Sequence, residues 1–325
     1  MLRYFDVILL LLGKWIMRKE VLIRMEWMAC FSSNEVYKIL EQNPQGSIHS
    51  IFTNSFNIAF DKSLVHVGVY ENGLAPFGIG LSRMDVQQLI RQVQKAQLVH
   101  WDQASGKLIF SNEAVLNMER VKWTKHSFSD CLTNHSIIID HFRYIADLFL
   151  QSDWQTGLAQ TPDEKQELNQ YLLSSTQVVT SSKFINEVNR LIQLIQGEIS
   201  TEYESVFDYW MGRGLGLTPS GDDVLTGVCA FLSAFNGSKG EFQERLKSYL
   251  VAKGRQRTTH IAYEYLLYAT NAKFHTHLIQ MCKGMDSRSD IEFFQAVEEM
   301  KKIGHTSGAD TLLGILLGIK ALVLK

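Results

Sequence analysis

The sequence predicts an α+β fold: a β-rich N-terminal half, forming a small barrel or a strongly curved sheet, followed by an all-helical C-terminal half. Two observations carry this. Residues 47–125 hold short segments in which apolar and polar residues alternate at period two, and after residue 135 the apolar residues recur at helical spacing. The two patterns are segregated along the chain, which is an α+β order. With 325 residues the chain has room for one large domain or two ordinary ones. The expected division is residues 1–24 as a non-native or disordered extension, 25–130 as a β-rich domain, and 131–325 as a helical domain.

The extension is set aside for a physical reason. Residues 7–12 are apolar and end at Gly13-Lys14, far short of the roughly 20 residues that cross a bilayer. Basic residues on both sides and no small-residue cleavage site argue against a signal peptide. Lys19-Glu20-Val21 is what a ribosome-binding sequence would encode if read in frame, and Met25 follows at a suitable distance. Translation is therefore expected to begin at Met25. The intact mass of the protein made from its native locus decides this, because a species retaining Met1 or Leu2 refutes it.

Residues 47–53 and 56–60 then alternate as strands, 64–70 is a third, and 76–81 is a short glycine-containing fourth. Residues 98–101 and 107–110 flank the turn Gln103-Ala104-Ser105-Gly106 as a hairpin, and one helix over 84–96 interrupts the series. The helical half opens with 137–151. Thr161-Pro162-Asp163-Glu164 starts the next helix, with threonine as cap and proline in the first turn, and it runs to about residue 173. Further helices are expected over 184–199, 203–211, 220–235, 242–253, 259–268, 273–282, 291–302 and 311–324. Lys301-Lys302 before Gly304 places cations and glycine where a helix stops.

Composition excludes several function classes. A net charge of −2 with scattered Lys and Arg gives no basic field, so neither nucleic acid nor an acidic membrane is an expected partner. Cys30, Cys131, Cys229 and Cys282 are far apart and form no C-x-x-C pair. That argues against a disulfide framework or structural zinc and points to a reducing, cytoplasmic setting. No metal site and no cofactor is called for.

The segment that exceeds what folding requires is Gly212-Arg213-Gly214-Leu215-Gly216-Leu217-Thr218-Pro219-Ser220-Gly221-Asp222-Asp223, which runs into an apolar helix. Glycines allow positive φ and close approach of backbone to a ligand. The amides at the helix start and the positive end of its dipole favour a small anion. A second copy, Ser307-Gly308-Ala309-Asp310, also opens an apolar helix. Ser-x-x-Asp before an apolar run is close to a capping box, so Ser220, Asp223, Ser307 and Asp310 are expected chiefly as helix caps, and are carried as binding candidates besides. Asp222 aligns with Ala309, so capping does not need its carboxylate, and it becomes the stronger functional candidate. Gly227, Gly314 and Gly318 lie inside apolar helices and read as close helix packing.

The loop is not a Walker A, because Asp222 stands where lysine is needed, and it is not a dinucleotide fingerprint, because a helix precedes it. His275 and His277 are two apart, share no helix face, and read as surface residues. Two adjacent carboxylates beside an anion need an explanation, and three are open. A divalent cation bridges them to the ligand; Asp222 accepts an N–H of the ligand; or Asp222 pairs with Arg213 or Arg257 and is structural. Arg257 with Thr258 and Thr259, before a helix, offers a second anion contact. His305 titrates near neutrality and is a candidate acid or base.

Gly-Leu-Thr-Pro-Ser-Gly-Asp-Asp at 216–223, Arg-Thr-Thr at 257–259 and Gly-His-Thr-Ser-Gly-x-Asp at 304–310 resemble the AllH family, from about residue 47 to the C-terminus. The chain departs from the family pattern at Ala262 and Ala309. The resemblance implies a subunit of an oxamate carbamoyltransferase in allantoin breakdown, working with two partner proteins. That activity interconverts oxalurate plus phosphate with oxamate plus carbamoyl phosphate. On this basis the backbone of Gly214, Gly216, Thr218, Ser220 and Gly221 is expected to hold an anion and Asp222 to orient an amide. Arg257 and Thr258 are expected to hold phosphate or carboxylate, and His305 to carry a proton. The alternative is a non-catalytic metabolite-binding or assembly subunit of such a complex.

Overall fold

A computed structural model describes residues 25–150, 154–159, 161–174, 181–199, 201–235, 240–304 and 306–324. The expected extension over 1–24, and His305, lie outside the described residues.

The first half is one sheet of ten strands, in the order β1-β9-β8-β7-β3-β4-β5-β6-β2-β10. The strands are β1 (Glu26–Met28), β2 (Phe31–Ser33), β3 (Gln45–Ile51), β4 (Ser55–Phe60), β5 (Ser63–Val69), β6 (Gly78–Leu81), β7 (Leu98–Asp102), β8 (Lys107–Phe110), β9 (Val115–Asn117) and β10 (Lys122–Thr124). Chain connectivity forces this sheet to curl. Only Ala29 and Cys30 separate β1 from β2, yet β1 is first in the order and β2 is next to last. Two residues span roughly 7 Å, so the ends of the sheet approach each other. Ala29 donates to the Asn117 carbonyl at one end (2.9 Å), and Cys30 to the Gly80 carbonyl at the other (2.8 Å). The link from β9 to β10 makes the same jump over residues 118–121. The result is a curled half-barrel, filled by alternate residues such as Ile48, Phe56, Ile58, Val65 and Val67.

Two helices accompany the sheet: α1 (Asn34–Gln42), capped by Ser33, and α2 (Arg83–Ile90), capped by Ser82. The helix expected over 84–96 is shorter than its pattern. Its continuation turns at Ala96 (φ 65°), whose amide donates to Ile48 and so joins the sheet.

The second half is helical: α3 (His135–Leu148), α4 (Pro162–Leu173), α5 (Lys183–Gln196), α6 (Tyr203–Trp210), α7 (Ser220–Ala234), α8 (Glu241–Tyr249), α9 (His260–Ala269), α10 (Thr276–Asp286), α11 (Asp290–Lys301) and α12 (Ser307–Leu322). Thr161 and Glu164 form a reciprocal capping box around Pro162. Beyond α8 the chain makes a π turn over Leu250–Gly254 and a short turn over Arg255–Arg257, instead of the regular helix expected to residue 253. The helix expected from residue 273 starts at Thr276 with His275 as its cap. His277 is 6% exposed, so the surface reading of that pair is overturned.

Helices α7 and α12 form the centre of this half and are buried over most of their length, as helices that are apolar all round must be. They touch through glycines. A Cβ on Gly227 would lie 1.9 Å from the Thr311 carbonyl oxygen, and one on Gly314 would lie 2.1 Å from that of Val224. The buried side chains form two clusters, one in the half-barrel and one among the helices. Helix α9 belongs to both: Ile261 packs into the first, Tyr263 and Leu266 into the second. No helix among the described residues is long and apolar enough to cross a membrane.

Candidate functional site

The glycine loop between α6 and α7 is built on positive φ at Gly212 (73°), Gly214 (113°) and Gly216 (94°). Side chains other than glycine rarely adopt this region, which explains the alternation. Asp222 fastens the loop from behind. Its Oδ1 accepts from the Gly212 amide (3.0 Å) and its Oδ2 from the Thr258 hydroxyl. Neither arginine pairs with it. The Arg213 guanidinium lies over the Tyr209 ring at 4.3 Å, and the Arg257 guanidinium donates to the Asp208 carbonyl. Burial pushes the Asp222 carboxyl up to about 6, and its two hydrogen bonds oppose the rise.

The amides at the start of α7 are less available than the sequence suggests. Gly221 donates to the Arg213 carbonyl (2.8 Å), and Asp222 and Asp223 both donate to that of Pro219. Gly221 is also pressed against α6, since a Cβ there would lie 1.9 Å from the Trp210 carbonyl oxygen. The amides of Gly214–Thr218 have no partner among the described residues, and Leu215 beside them is 89% exposed.

The capping expectation is overturned at both motifs. Pro219 and Thr306 occupy the cap positions, and neither end has a side-chain cap bond. Each serine instead lies by the aspartate of the other motif and lowers its pKa, Ser307 that of Asp223 and Ser220 that of Asp310. The packing of α7 on α12 brings the two motifs together, so a cross-pairing replaces two local caps.

Asp223 lines a cavity of about 360 Å³ between the half-barrel and the helices. The loop and the two motifs contribute Thr218, Thr226, Gly304, Ser307 and Thr311 to it. Strands β4 and β5 contribute Ser55, Asn57 and His66, while α9, α10 and the turn before α10 add Tyr265, Lys273, Phe274, His275 and Leu278. Thr218 Oγ1 and Ser307 Oγ are 2.9 Å apart. Asp223 Oδ2 is shielded from solvent and has no hydrogen-bond partner. Burial raises this carboxyl well above its ordinary range; Asp310 and Asp222 add to the rise, and Ser307 and Thr218 oppose it.

Two histidines face the same space as neutral rings. His66 is pushed down to about 4 by burial. Asn57 Nδ2 donates to Ser50, which leaves Asn57 Oδ1 to accept from His66 Nδ1 (2.9 Å) and puts the His66 lone pair on Nε2. His275 is held well below its ordinary value by burial, with His277, His126 and His66 adding to the effect. Its Nδ1 accepts from the His277 amide (3.3 Å), so its proton is on Nε2. Lys273 brings a cation, ion-paired to Glu35. The site thus offers hydroxyls, one carboxyl, neutral imidazoles and an ammonium around a space suited to a small polar molecule. No group of three or more His, Cys, Asp or Glu among the described residues is arranged to hold a metal ion.

The expected site residues therefore separate. Thr218, Asp223 and Ser307 meet at the cavity. Gly214, Gly216, Gly221, Asp222 and Thr258 shape or fasten the loop. Ser220 and Asp310 are buried on the other side of the helix pair. Arg257 is exposed and does not line the cavity. The sequence reading missed Asn57, His66, Tyr265, Lys273 and His275. The available signal was a polar residue in each of two strands, Asn57 and His66, which the sheet pairs directly across.

Two family matches cover most of the chain. Residues 27–123, the half-barrel, match the AllH family N-terminal domain, and residues 210–319, from the glycine loop through most of α12, match oxamate carbamoyltransferase subunit AllH. No solved structure matches the chain.

Proposed function

The chain belongs to the AllH family, and from that premise we propose that it is a carbamoyltransferase subunit, acting with partner subunits, that holds its small substrate in the cavity beside Asp223. One observation carries the reading: both family-matched segments supply walls of the same cavity, Asn57 and His66 from the first, Thr218, Asp223 and Ser307 from the second. A cavity of about 360 Å³ is ample for carbamoyl phosphate, oxamate or oxalurate. In carbamoyl transfer the oxamate nitrogen attacks the carbamoyl carbon of carbamoyl phosphate. A C–N bond forms, the C–O bond to phosphate breaks, and the nitrogen loses a proton. His66, held neutral with its lone pair on Nε2, can accept a hydrogen bond from the attacking N–H and orient it, and the proton leaves with the departing phosphate. The Lys273 ammonium and the hydroxyls of Thr218 and Ser307 suit the anionic end. Asp222, Thr258 and the loop glycines act in this reading as positioning residues. No ligand contact is proposed for Arg257.

The test is turnover of the full chain with its partner subunits, read as phosphate release from carbamoyl phosphate in the presence of oxamate. Thr218→Val and Ser307→Ala each remove one hydroxyl from a charged ligand. A hydrogen bond of that kind is worth about 1.5–3 kcal/mol, or roughly 10- to 100-fold in kcat/KM. Unchanged turnover in both variants refutes the reading. A second reading, a metabolite-binding or assembly subunit without chemistry of its own, has one observation in its favour. The exposed Leu215 and the free loop amides are features that a partner subunit would cover.

A further inference from the structure

His275 stands at the N-cap of α10, where that helix meets the half-barrel. Thr276 beside it ties the two together. Its hydroxyl accepts from the Leu74 amide (2.9 Å), and its amide donates to the Leu74 carbonyl (3.1 Å). The turn that carries Leu74 needs glycine at position 73. Gly73 has φ 81°, and a Cβ there would lie 2.4 Å from His275 Cε1. The imidazole is therefore packed against a backbone turn and against the His277 ring, whose centroid is 5.2 Å away.

The cap position also fixes where this ring carries its proton. Nδ1 accepts from the His277 amide (3.3 Å), so Nδ1 is bare and the proton resides on Nε2. An imidazolium would give up the cap and would face the positive end of the α10 dipole. Burial and the neighbouring histidines hold the ring neutral as well. Asp223 Oδ2, His126 Nε2 and His277 Nδ1 lack partners but are shielded from solvent, whereas His275 Nε2 lacks a partner among the described residues and keeps solvent access. The other neutral N–H side chains lining the cavity are engaged, Asn57 Nδ2 with Ser50 and His66 Nδ1 with Asn57. His275 thus brings an uncommitted neutral N–H, held in place by the fold, to the cavity wall.

We infer that His275 is a further catalytic residue, whose Nε2–H donates to the carbamoyl carbonyl oxygen of the ligand. The inference rests on the cavity being the substrate site, and it gives that oxygen a partner beside those of the attacking nitrogen and the anionic end. As the C–N bond forms and the C–O bond to phosphate breaks, the carbonyl oxygen gains negative charge at the tetrahedral stage and returns it when phosphate leaves. His275 keeps its proton throughout, because a neutral imidazole is a hydrogen-bond donor and too weak an acid to lose that proton. A donor already in position costs no reorganisation as the charge develops, and removing one such donor costs about 10²–10³ in rate.

The experiment uses His275→Asn in the full chain with its partner subunits. Asparagine is a good N-cap, and its Oδ1 takes the place of Nδ1, while the side chain ends short of Nε2. The single-turnover rate of carbamoyl transfer from oxalurate to phosphate is expected to fall on the order of 10²-fold. Oxalurate affinity is expected to fall by about tenfold or less. His275→Ser, which also caps well, is expected to behave alike. The wild type supplies a measurement that needs no variant. With oxalurate isotopically labelled at its ureido carbonyl carbon, infrared difference spectra should place the bound C=O stretch at lower frequency than in water, and His275→Asn should abolish the displacement. An undisplaced stretch in the wild type overturns the inference whether or not either variant folds, and so does an unchanged single-turnover rate in a folded variant. If that happens while Thr218→Val and Ser307→Ala still lower kcat/KM, the cavity stands as the substrate site and only the role of His275 falls. If the hydroxyl variants also leave turnover unchanged, the cavity reading and the inference fall together.

Discussion

Asp222 and Asp223 are neighbours in the chain with opposite duties, and the difference lies in what each oxygen meets. Asp222 spends both oxygens on the loop, on Gly212 and Thr258, whereas the Asp223 side chain lines the cavity. The buried Asp222 carboxyl has a pKa raised from 3.8 to about 6, which fixes the sign of a pH effect. Ionisation is less favourable in the folded chain than in the unfolded one. The associated stability is therefore whole below about pH 4 and is lost as pH rises to about 6 and beyond. Asp222→Asn stays neutral, keeps an acceptor for Gly212, and turns an amide toward Thr258. Two pKa units correspond to roughly 3 kcal/mol. Urea melts at pH 4 and pH 7 should therefore show the variant gaining about 2–3 kcal/mol on the wild type over that interval. A difference that does not move with pH refutes the assignment. Comparison of the two motifs singles out Asp222 in the sequence, because Ala309 replaces it in the second copy. What the comparison detects is a loop fastening. The first loop covers residues 211–219 and the second only 302–306, and Gly212, which Asp222 holds, lies in the longer one.

At the scale of elements, local pattern is informative wherever an element closes its own hydrogen bonds. The Thr161 box and the apolar stripes of α3, α5 and α11 are legible for that reason. The sequence reading has no helix over Asn34–Gln42, although Val36, Ile39 and Leu40 form an apolar stripe there. Strands β1, β2, β9 and β10 are three residues each and too short for alternation to register; only their pairing partners define them. The Ser-x-x-Asp motifs mislead because a tertiary contact outcompetes the cap. The glycines inside α7 and α12 are read correctly from the sequence, and their contacts yield a quantitative expectation. Gly314→Ala gains about 1 kcal/mol of helix propensity. Against this, its Cβ would lie 2.1 Å from a backbone carbonyl oxygen, which cannot move without separating the helices. Overpacking of a rigid contact costs about 1–3 kcal/mol and sometimes more, so the clash dominates. Chemical denaturation should show a net loss of at least about 1 kcal/mol, and a stabilised Gly314→Ala variant would refute this account of the helix crossing.

For the whole molecule, the cavity exists because the half-barrel and the helical half are held in one fixed relation, and no local pattern carries that information. Asn57 and His66 face Asp223 across more than 150 residues of sequence. Helix α9 supplies the connection. Phe77, buried in the sheet cluster, lies against Tyr268 (5.3 Å, stacked) and edge-on to Tyr265 (4.9 Å), and Tyr265 lines the cavity. Removing the Phe77 ring should have two linked effects. It opens a void in the core, worth about 3–5 kcal/mol of stability, and it frees a wall of the cavity. Phe110 provides the comparison: it is as deeply buried in the half-barrel and packs on Phe56, and it does not line the cavity. Phe77→Ala and Phe110→Ala should lower the melting temperature to a similar extent. Titrated with oxamate at a temperature where both variants are folded, only Phe77→Ala should lose affinity. If the two variants bind alike, the aromatic contact holds the halves together without shaping the site, and the cavity wall must be set by the Ile261 end of α9 instead.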